Sequence, residues 1–356
     1  MCGINGFLKQ NISGNNAKRL LEQMNTTIEH RGPDDHGIFM RQNDTITLGL
    51  GQDRLSIVDL SPAGHQPMFY SRASGAHSAS FHPSDDQSLA LVFNGEIYNF
   101  ADLKTELQSL GYTFSTHSDT EVIFASYLEW GTDCVNRFNG MWAFALYDEK
   151  KDILFCSRDR FGKKPFYYFH DGRDFIFSSE IKGILVHNIP REIDPEAIDF
   201  YFTTGFIPAP WSIYKSVRKI EAGHNLIINT KTLEIQNERY YEIPEYTPTY
   251  DRNALIQEGK SLLEDATKIR MFADVPVGAF LSGGLDSSSV VAEMTKFVKK
   301  ENLHTFSIGF EGKYDETPYI TVVKDAFGTN HHHEYFKEKD FEGMIDGIQH
   351  FYDEPF

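Results

Sequence analysis

The chain has 356 residues, which suits about two domains, and its 40% hydrophobic and 14% aromatic content is that of a globular chain and not a disordered one. A formal net charge of −17 argues against a surface for nucleic acid or anionic membrane, though not against anionic substrates held by local arginines and backbone N–H groups. No apolar run reaches the length of a membrane span, the N-terminus lacks the basic-then-apolar pattern of a secretion signal, and the three cysteines (Cys2, Cys134, Cys156) have no metal-ligand spacing, so a reducing, cytoplasmic setting is expected.

Taken in order, the chain opens Met1-Cys2-Gly3-Ile4-Asn5-Gly6. A residue as small as Cys2 permits removal of Met1, after which one residue carries both a thiol and a free α-amine. The thiolate is the nucleophilic form. An α-amine with an unperturbed pKa of about 7.7–8.0 can serve as its base without a distant His. Alone, Cys2 reads more readily as a chance cysteine of a buried first strand, and Cys134 and Cys156 read as core residues.

Residues 2–8 form an expected strand, followed by a helix with Leu20, Leu21, Met24 and Ile28 on one face. It stops before His30-Arg31-Gly32-Pro33-Asp34-Asp35. Residues 46–50 and 54–58 read as two short strands, and residues 71–88, rich in Ser, Ala, His and Asp, as an exposed loop. Residues 89–93 read as a strand running into Asn94-Gly95-Glu96. A helix with Leu103, Leu107 and Leu110 ends at Gly111. Ser118-Asp119-Thr120-Glu121 fits a capping box opening the next helix, which ends at Gly131. Strands and tight turns fill residues 141–179. Sheets flanked by helices are therefore expected over residues 1–224, and a last strand pair plus linker over 225–250.

From residue 251 the style changes. Helical stretches at 253–271, 282–299, 316–327 and 341–352 alternate with strands at 277–281, 304–310 and 333–336, which implies a parallel α/β sheet over residues 251–356. Its first turn reads Ser282-Gly283-Gly284-Leu285-Asp286-Ser287-Ser288 between strand and helix. The glycines let a ligand approach the backbone, and N–H groups and hydroxyls converge at a helix N-terminus, where anions are favoured. The Walker spacing and its Lys are absent. The loop resembles the pyrophosphate loop of enzymes that cleave ATP to AMP and pyrophosphate, with Asp286 able to hold a bridging Mg²⁺. His331, His332 and His333 adjoin in sequence, so they cannot all point one way from a strand, and no metal is expected there.

In the first domain, Arg54 offers a fork for a carboxylate and Asp119 a carboxylate for an ammonium, the two ends of an amino acid. Asn94 and Gly95 offer a side-chain amide and a backbone N–H, the donors an oxyanion hole needs when a thiolate attacks an amide. Singly, each has a plainer reading: a surface ion pair, a helix cap, a turn.

The segments Cys2-Gly3-Ile4, Arg31-Gly32-Pro33-Asp34, Arg54-Leu55-Ser56-Ile57, Asn94-Gly95-Glu96-Ile97-Tyr98-Asn99, Ser118-Asp119-Thr120-Glu121, Arg158-Asp159-Arg160-Phe161-Gly162, Ser178-Ser179-Glu180 and the 282–288 loop occur in that order. Together they resemble the glutamine-hydrolysing asparagine synthetases over essentially the whole chain. The resemblance implies an N-terminal-nucleophile glutaminase, an αββα sandwich, over residues 1–224, and part of an ATP-pyrophosphatase domain over 251–356. It implies that Cys2 attacks glutamine, that Arg54, Asn94, Glu96 and Asp119 bind it, and that Asn94 and Gly95 stabilise the tetrahedral intermediate. Ammonia would pass through the interior to a site where ATP adenylates aspartate. Ser282, Gly283, Gly284, Asp286, Ser287 and Ser288 would hold the phosphates, Ile308 the adenine, and Asp286 with Asp353 a Mg²⁺. The implied partners are glutamine, aspartate and ATP, with no nucleic acid or membrane and a homodimer as a candidate assembly. A related amidotransferase that amidates another carboxylate, such as a sugar acid in surface polysaccharide assembly, and a glutaminase with a non-catalytic nucleotide domain remain alternatives.

The sequence departs from the family in a few places. Gln52 stands where many members have His, and the 71–88 segment is longer than usual. His350 lies three residues before Asp353, where some members have an acid, which leaves the acceptor open. Members continue past Tyr352-Asp353-Glu354-Pro355-Phe356, with a phosphate-contacting lysine and much of the acceptor pocket expected beyond, so the sequence reads as a fragment.

Overall fold

A computed structural model describes the chain except residues 43–45, 72–75, 79–87, 246–250, 311, 313–314, 338–343 and 356. It divides into two units, Met1–Ile243 with Tyr352–Phe356, and Pro244–Phe351.

The first unit holds two antiparallel sheets. One is built from β1 (Gly3–Gln10), β2 (Asp35–Gln42), β3 (Ile46–Arg54), β9 (Tyr167–His170), β10 (Asp174–Ser178) and β11 (Val217–Lys219), in the order β11-β9-β10-β1-β3-β2. The other comprises β4 (Met68–Ser71), β5 (Ala76–Ser78), β6 (Ser88–Ile97), β7 (Gly140–Asp148), β8 (Ile153–Arg158), β12 (His224–Asn229) and β13 (Ile235–Arg239), in the order β13-β12-β8-β7-β6-β4-β5. Because strand side chains alternate between faces, β7 places Ala143, Ala145 and Tyr147 in one cluster with Ile4, Leu8, Leu48 and Phe177 of the opposing sheet. Its Trp142, Phe144 and Leu146 face the other way. There they pack with α2 (Phe100–Ser109) and α3 (Thr120–Trp130) through Leu103, Leu107, Val122 and Ile123. Across the molecule, Phe7 and Ile176 meet Leu21 and Met24 of α1 (Gly14–Ile28) and Ile184 of the short α4 (Ile181–Leu185). The layers are therefore helix, sheet, sheet, helix, and α5 (Pro195–Thr204) is added after them.

The two short strands expected at 46–50 and 54–58 are one strand and a loop. β3 runs to Arg54 because β1 and β2 pair it on both flanks, and residues 55–58 have no ladder partner. β2 was not foreseen, since its Asp35-His36-Gly37 start hides its alternation. Within 71–88, residues 76–78 form β5 against β4, and the rest of that expected loop, 72–75 and 79–87, lies outside the described residues. The expected strand pair after 224 is present as β12 and β13, and β12 pairs with β8, so residues 224–239 extend the second sheet. The linker expected over 225–250 thus begins later than its sequence suggested, and residues 246–250 of it are not described.

The second unit contains α6 (Arg252–Arg270), β14 (Gly278–Phe280), α7 (Leu285–Met294), β15 (His304–Phe310), α8 (Thr317–Phe327), β16 (Asn330–Phe336) and α9 (Ile345–Tyr352), whose last residue the division assigns to the first unit. Its strands are parallel, in the order β14-β15-β16. Leu281, Val291, Met294, Leu303 and Ile320 form its core. Asp251 caps α6 by accepting from the N–H groups of Asn253 and Ala254, both at 3.0 Å. Residues 341–343 of the helix expected at 341–352 are outside the described residues. Among the described residues no helix is long and apolar enough to cross a membrane.

Candidate active sites

The start of β1 is fixed from three sides. The N–H of Ile4 donates to Ser179 Oγ at 3.0 Å, Arg31 Nε donates to the carbonyl of Cys2 at 3.1 Å, and Leu55 N–H donates to Cys2 Sγ at 3.4 Å. The thiol in turn donates to the Leu55 carbonyl at 3.6 Å. Burial pushes the Cys2 thiol above its ordinary pKa, against the opposing pull of the Leu55 hydrogen bond and the N-terminal charge. The N-terminal amine, here on Met1, is lowered by burial first, with the Arg31 and Lys164 cations adding to the effect. Burial thus disfavours the charged form of both the thiol and the amine.

One pocket includes Cys2, Arg54, Gly95, Glu96 and Asp119 in its walls, drawing on β1, β3, β6 and the start of α3. Arg54 donates to the carbonyls of Val58 (3.2 Å), Asp59 (2.6 Å) and Ser61 (3.4 Å), so its guanidinium is pinned against the loop it folds. Asp119 Oδ2 accepts from Ile97 N–H at 2.8 Å. The capping box expected at 118–121 does not form. Glu121 turns back to accept from the N–H groups of Ser115 (3.0 Å) and Thr116 (2.8 Å), Ser118 Oγ accepts from Thr120 N–H at 3.1 Å, and Asp119 is left to face the pocket. Burial raises both Glu96 and Asp119 above the ordinary carboxylate range, and for Glu96 the neighbouring Asp119 charge adds to it.

Asn94 is buried, and neither Oδ1 nor Nδ2 of its amide has a partner among the described residues. A buried amide left open in this way is costly unless a ligand completes it. Gly95 follows, pairing with Trp142 across β6 and β7. A Cβ at Gly95 would lie 2.1 Å from the Met141 carbonyl oxygen and 2.8 Å from Trp142 Cα. Neither atom can yield without opening the ladder. Gly95→Ala is therefore expected to cost about 1–3 kcal/mol of stability, the range for overpacking, and to cut glutamine turnover by displacing Asn94. Thermal unfolding together with glutamate release checks both; an unchanged melting temperature with full turnover would contradict the close approach.

In the second unit, the turn after β14 closes on itself. Ser282 N–H donates to Ser287 Oγ at 3.2 Å, the two hydroxyls lie 3.0 Å apart, and Gly284 N–H donates to Ser282 Oγ at 3.4 Å. Gly283 has φ +77° and sits where a Cβ would meet Tyr319 Cβ at 2.6 Å and Ile320 N at 2.7 Å, so no other residue fits against α8. Asp286 is exposed in the first turn of α7, and Ser288 lies two residues further along it. Ile308 sits half-exposed near the carboxyl end of the central strand β15, the end at which parallel sheets bind ligands.

Asp353, expected beside Asp286 at a Mg²⁺, belongs to the first unit, where its carboxylate accepts from Lys182 N–H at 2.9 Å and lies 3.2 Å from Lys182 Nζ. Both oxygens are engaged by that lysine. The three histidines are part of β16, longer than the strand expected at 333–336; His331 pairs with Thr305 Oγ1 at 2.9 Å and His332 with His304 at 3.0 Å. No group of three or more His, Cys, Asp or Glu placed to hold a metal occurs among the described residues.

The glutamine amidotransferase domain family matches residues 1–241 and the asparagine synthase family residues 258–356. The chain is 53% identical over its full length to a Methanocaldococcus jannaschii protein named as a glutamine-hydrolyzing asparagine synthetase, of which it covers 69%. The chain belongs to the glutamine-hydrolysing asparagine synthetase family. It is also 36% identical to asparagine synthetase 3 of Bacillus subtilis over 98% of this chain and 56% of that protein, and 33% identical to asparagine synthetase 1 of the same organism, of which it covers 53%. It therefore spans between about half and about two thirds of the length of these synthetases.

Several residues around this synthetase-family pocket had no role in the sequence reading. Lys164, 4% exposed, places Nζ 3.2 Å from Met1 Sδ and sends positive potential to Cys2 and Glu96. The Arg158–Gly162 motif stood two residues away, but only the fold brings Lys164 to the N-terminus. Gln66 accepts from Phe93 N–H at 2.7 Å and donates to Thr120 Oγ1 at 3.3 Å, tying β6 to α3 beside the pocket. Gln52 donates from β3 to the Phe93 carbonyl on the facing sheet at 2.9 Å.

Proposed function

We infer that this chain is the glutamine-hydrolysing and nucleotide-binding part of an asparagine synthetase: it releases ammonia from glutamine at Cys2 and takes part in the ATP-driven amidation of aspartate. The observation that carries this is the convergence of Cys2, Arg54, Glu96, Asp119 and Gly95 on one pocket; Asn94, which precedes Gly95 in β6, keeps a buried amide without a partner.

Arg54 holds the α-carboxylate of glutamine, and Asp119 with Glu96 its α-ammonium. This sets the side-chain amide before Cys2. With Met1 removed, the Cys2 α-amine accepts the thiol proton as sulfur bonds to the amide carbon. Asn94 Nδ2 and Gly95 N–H face the developing oxyanion. The protonated amine returns the proton to the departing nitrogen, ammonia leaves, and water then hydrolyses the thioester to glutamate.

ATP enters as its Mg²⁺ complex. The Ser282–Ser288 loop cradles the phosphates with N–H groups and hydroxyls, the exposed Asp286 is the carboxylate placed to reach the ion, and Ile308 offers an apolar surface to adenine. The acceptor carboxylate displaces pyrophosphate to form an adenylate, and ammonia displaces AMP.

The test supplies amide-¹⁵N glutamine, ATP, Mg²⁺ and aspartate to the natural protein. The expected product is asparagine carrying ¹⁵N, with AMP and pyrophosphate. Glutamate without labelled asparagine would overturn the synthetase reading, and label in the amide of an added sugar acid would move the acceptor.

A further inference from the structure

The loop between β8 and β9 is folded around the main chain of Lys164. Asp159 Oδ2 accepts from Lys164 N–H at 3.0 Å, and Oδ1 from the N–H groups of Phe161 (3.1 Å) and Lys163 (3.0 Å). Arg158 Nε donates to the Lys164 carbonyl at 2.7 Å, and its Nη2 to that of Gly162 at 2.7 Å. The Lys164 backbone is thus gripped at both its N–H and its carbonyl by the two charged residues that open the Arg158–Gly162 motif.

The side chain so anchored is buried and runs to the N-terminus, where Nζ lies 3.2 Å from Met1 Sδ. Among the described residues this ammonium makes no ion pair, and the thioether sulfur is a weak acceptor. The other charges that face the N-terminal amine are Arg31 and Asp34, with the Cys2 thiol when ionised. Each of the first two is engaged elsewhere: Arg31 Nη1 donates to Glu180 Oε1 at 2.8 Å, and Asp34 Oδ2 accepts from Ser56 N–H at 2.7 Å. Glu96, on β6, is held above the ordinary carboxylate range by burial and so offers Lys164 little counter-charge before substrate binds. Lys164 is therefore the cation beside the amine that lacks a carboxylate of its own.

Removal of Met1 takes the thioether away and moves the α-amine onto Cys2, whose thiol the Lys164 charge also reaches. A protonated amine and a buried ammonium then repel each other where water screens little. The repulsion disappears when the amine is neutral, which is the form that can accept a proton from sulfur.

We propose that Lys164 is a positioning residue for proton transfer at Cys2: its buried ammonium, anchored by Arg158 and Asp159, disfavours the charged α-amine and so keeps ready the neutral base that takes the thiol proton. The proposal rests on the reading of Cys2 as the glutaminase nucleophile. In the natural protein kcat for glutamine hydrolysis declines on the acid side as the amine gains a proton. Without the Lys164 charge that proton binds at higher pH. In Lys164→Met the acid limb of kcat should therefore move upward, with kcat near pH 6 lowered about tenfold, the scale of one like charge beside a titrating group. The alkaline plateau and the melting temperature should stay near wild type. Lys164→Arg keeps the charge and should leave the limb in place. Because kcat is read at saturating glutamine, the bound ammonium holds Glu96 and Asp119 ionised and their titration does not enter. The amine is also titrated directly, by the pH dependence of its acetylation with acetic anhydride, read on the N-terminal peptide in Cys2→Ala with and without Lys164→Met. The chain lacking Lys164 should hold the amine proton to higher pH. An unmoved limb in Lys164→Met, a loss equal at every pH, a limb in Lys164→Arg displaced as far as in Lys164→Met, or identical amine titrations in the two Cys2→Ala chains would each overturn the proposal. Glutamine hydrolysis persisting in Cys2→Ala would remove the nucleophile reading instead, while the amine titration would still report the Lys164 charge.

Discussion

Cys2→Ala is expected to lose glutamine hydrolysis by on the order of a thousandfold or more, the scale seen when a covalent nucleophile is deleted, while ATP binding stays unchanged. Among the described residues Cys2 is the one cysteine in the walls of the pocket of Arg54 and Asp119, since Cys134 and Cys156 are buried in the core. The nucleotide loop belongs to the second unit and is closed by its own hydroxyls and N–H groups, so it does not need the thiol. Glutamate release and calorimetric titration of ATP are the two measurements. Glutamate produced by the variant at the wild-type rate would reject the nucleophile.

Asp119→Asn should lower kcat/KM for glutamine tenfold to a hundredfold, the equivalent of about 1.5–3 kcal/mol for a charged hydrogen bond. Asparagine can still accept from Ile97 N–H, so the fold is expected to survive and the loss to reflect the missing charge. The same pair of carboxylates predicts a pH dependence. Asp119 and Glu96 are raised by burial, so the folded, ligand-free protein holds their protons more tightly than the unfolded chain does. They therefore reduce stability as pH rises from the ordinary carboxylate range through their raised values. Bound ammonium reverses this by favouring the ionised pair. KM for glutamine should rise as pH falls through that window, and binding near its upper end should release protons, visible as a buffer-dependent binding enthalpy. A KM flat with pH, together with unchanged kcat/KM in Asp119→Asn, would take Asp119 out of the site.

Much of the architecture could be read from the chain because its signals are local. The apolar face of α1, the strand–glycine–helix turn at 282–288 and the alternation of strands and helices after 251 each follow from neighbours in sequence. What was hidden depends on partners far away. β2 and the full length of β3 exist because three strands pair there, although Asp35, His36, Gly49 and Gly51 weaken the pattern that a single strand shows. Glu121 looks like the fourth residue of a capping box, yet two N–H groups of the preceding loop claim it, and no spacing rule weighs that competition. Asp353 meets Lys182 across a gap of 171 positions, a contact that no local pattern shows. Lys164 reaches the N-terminus across a gap of 163 positions, beyond any local periodicity.

The first unit is not one continuous stretch: residues 352–356 return to it after the whole of the second unit. On the ribosome, Lys182 and Lys219 are therefore made long before Asp353 and Glu354, their buried partners. At ~5–20 residues per second, roughly ten seconds separate the emergence of the second sheet's last strand from that of these two acids. During that interval Lys219 lacks the carboxylate it pairs with in the folded unit, whereas Lys182 already has Glu180. That corner of the first unit can therefore close only once the chain has been made past α9.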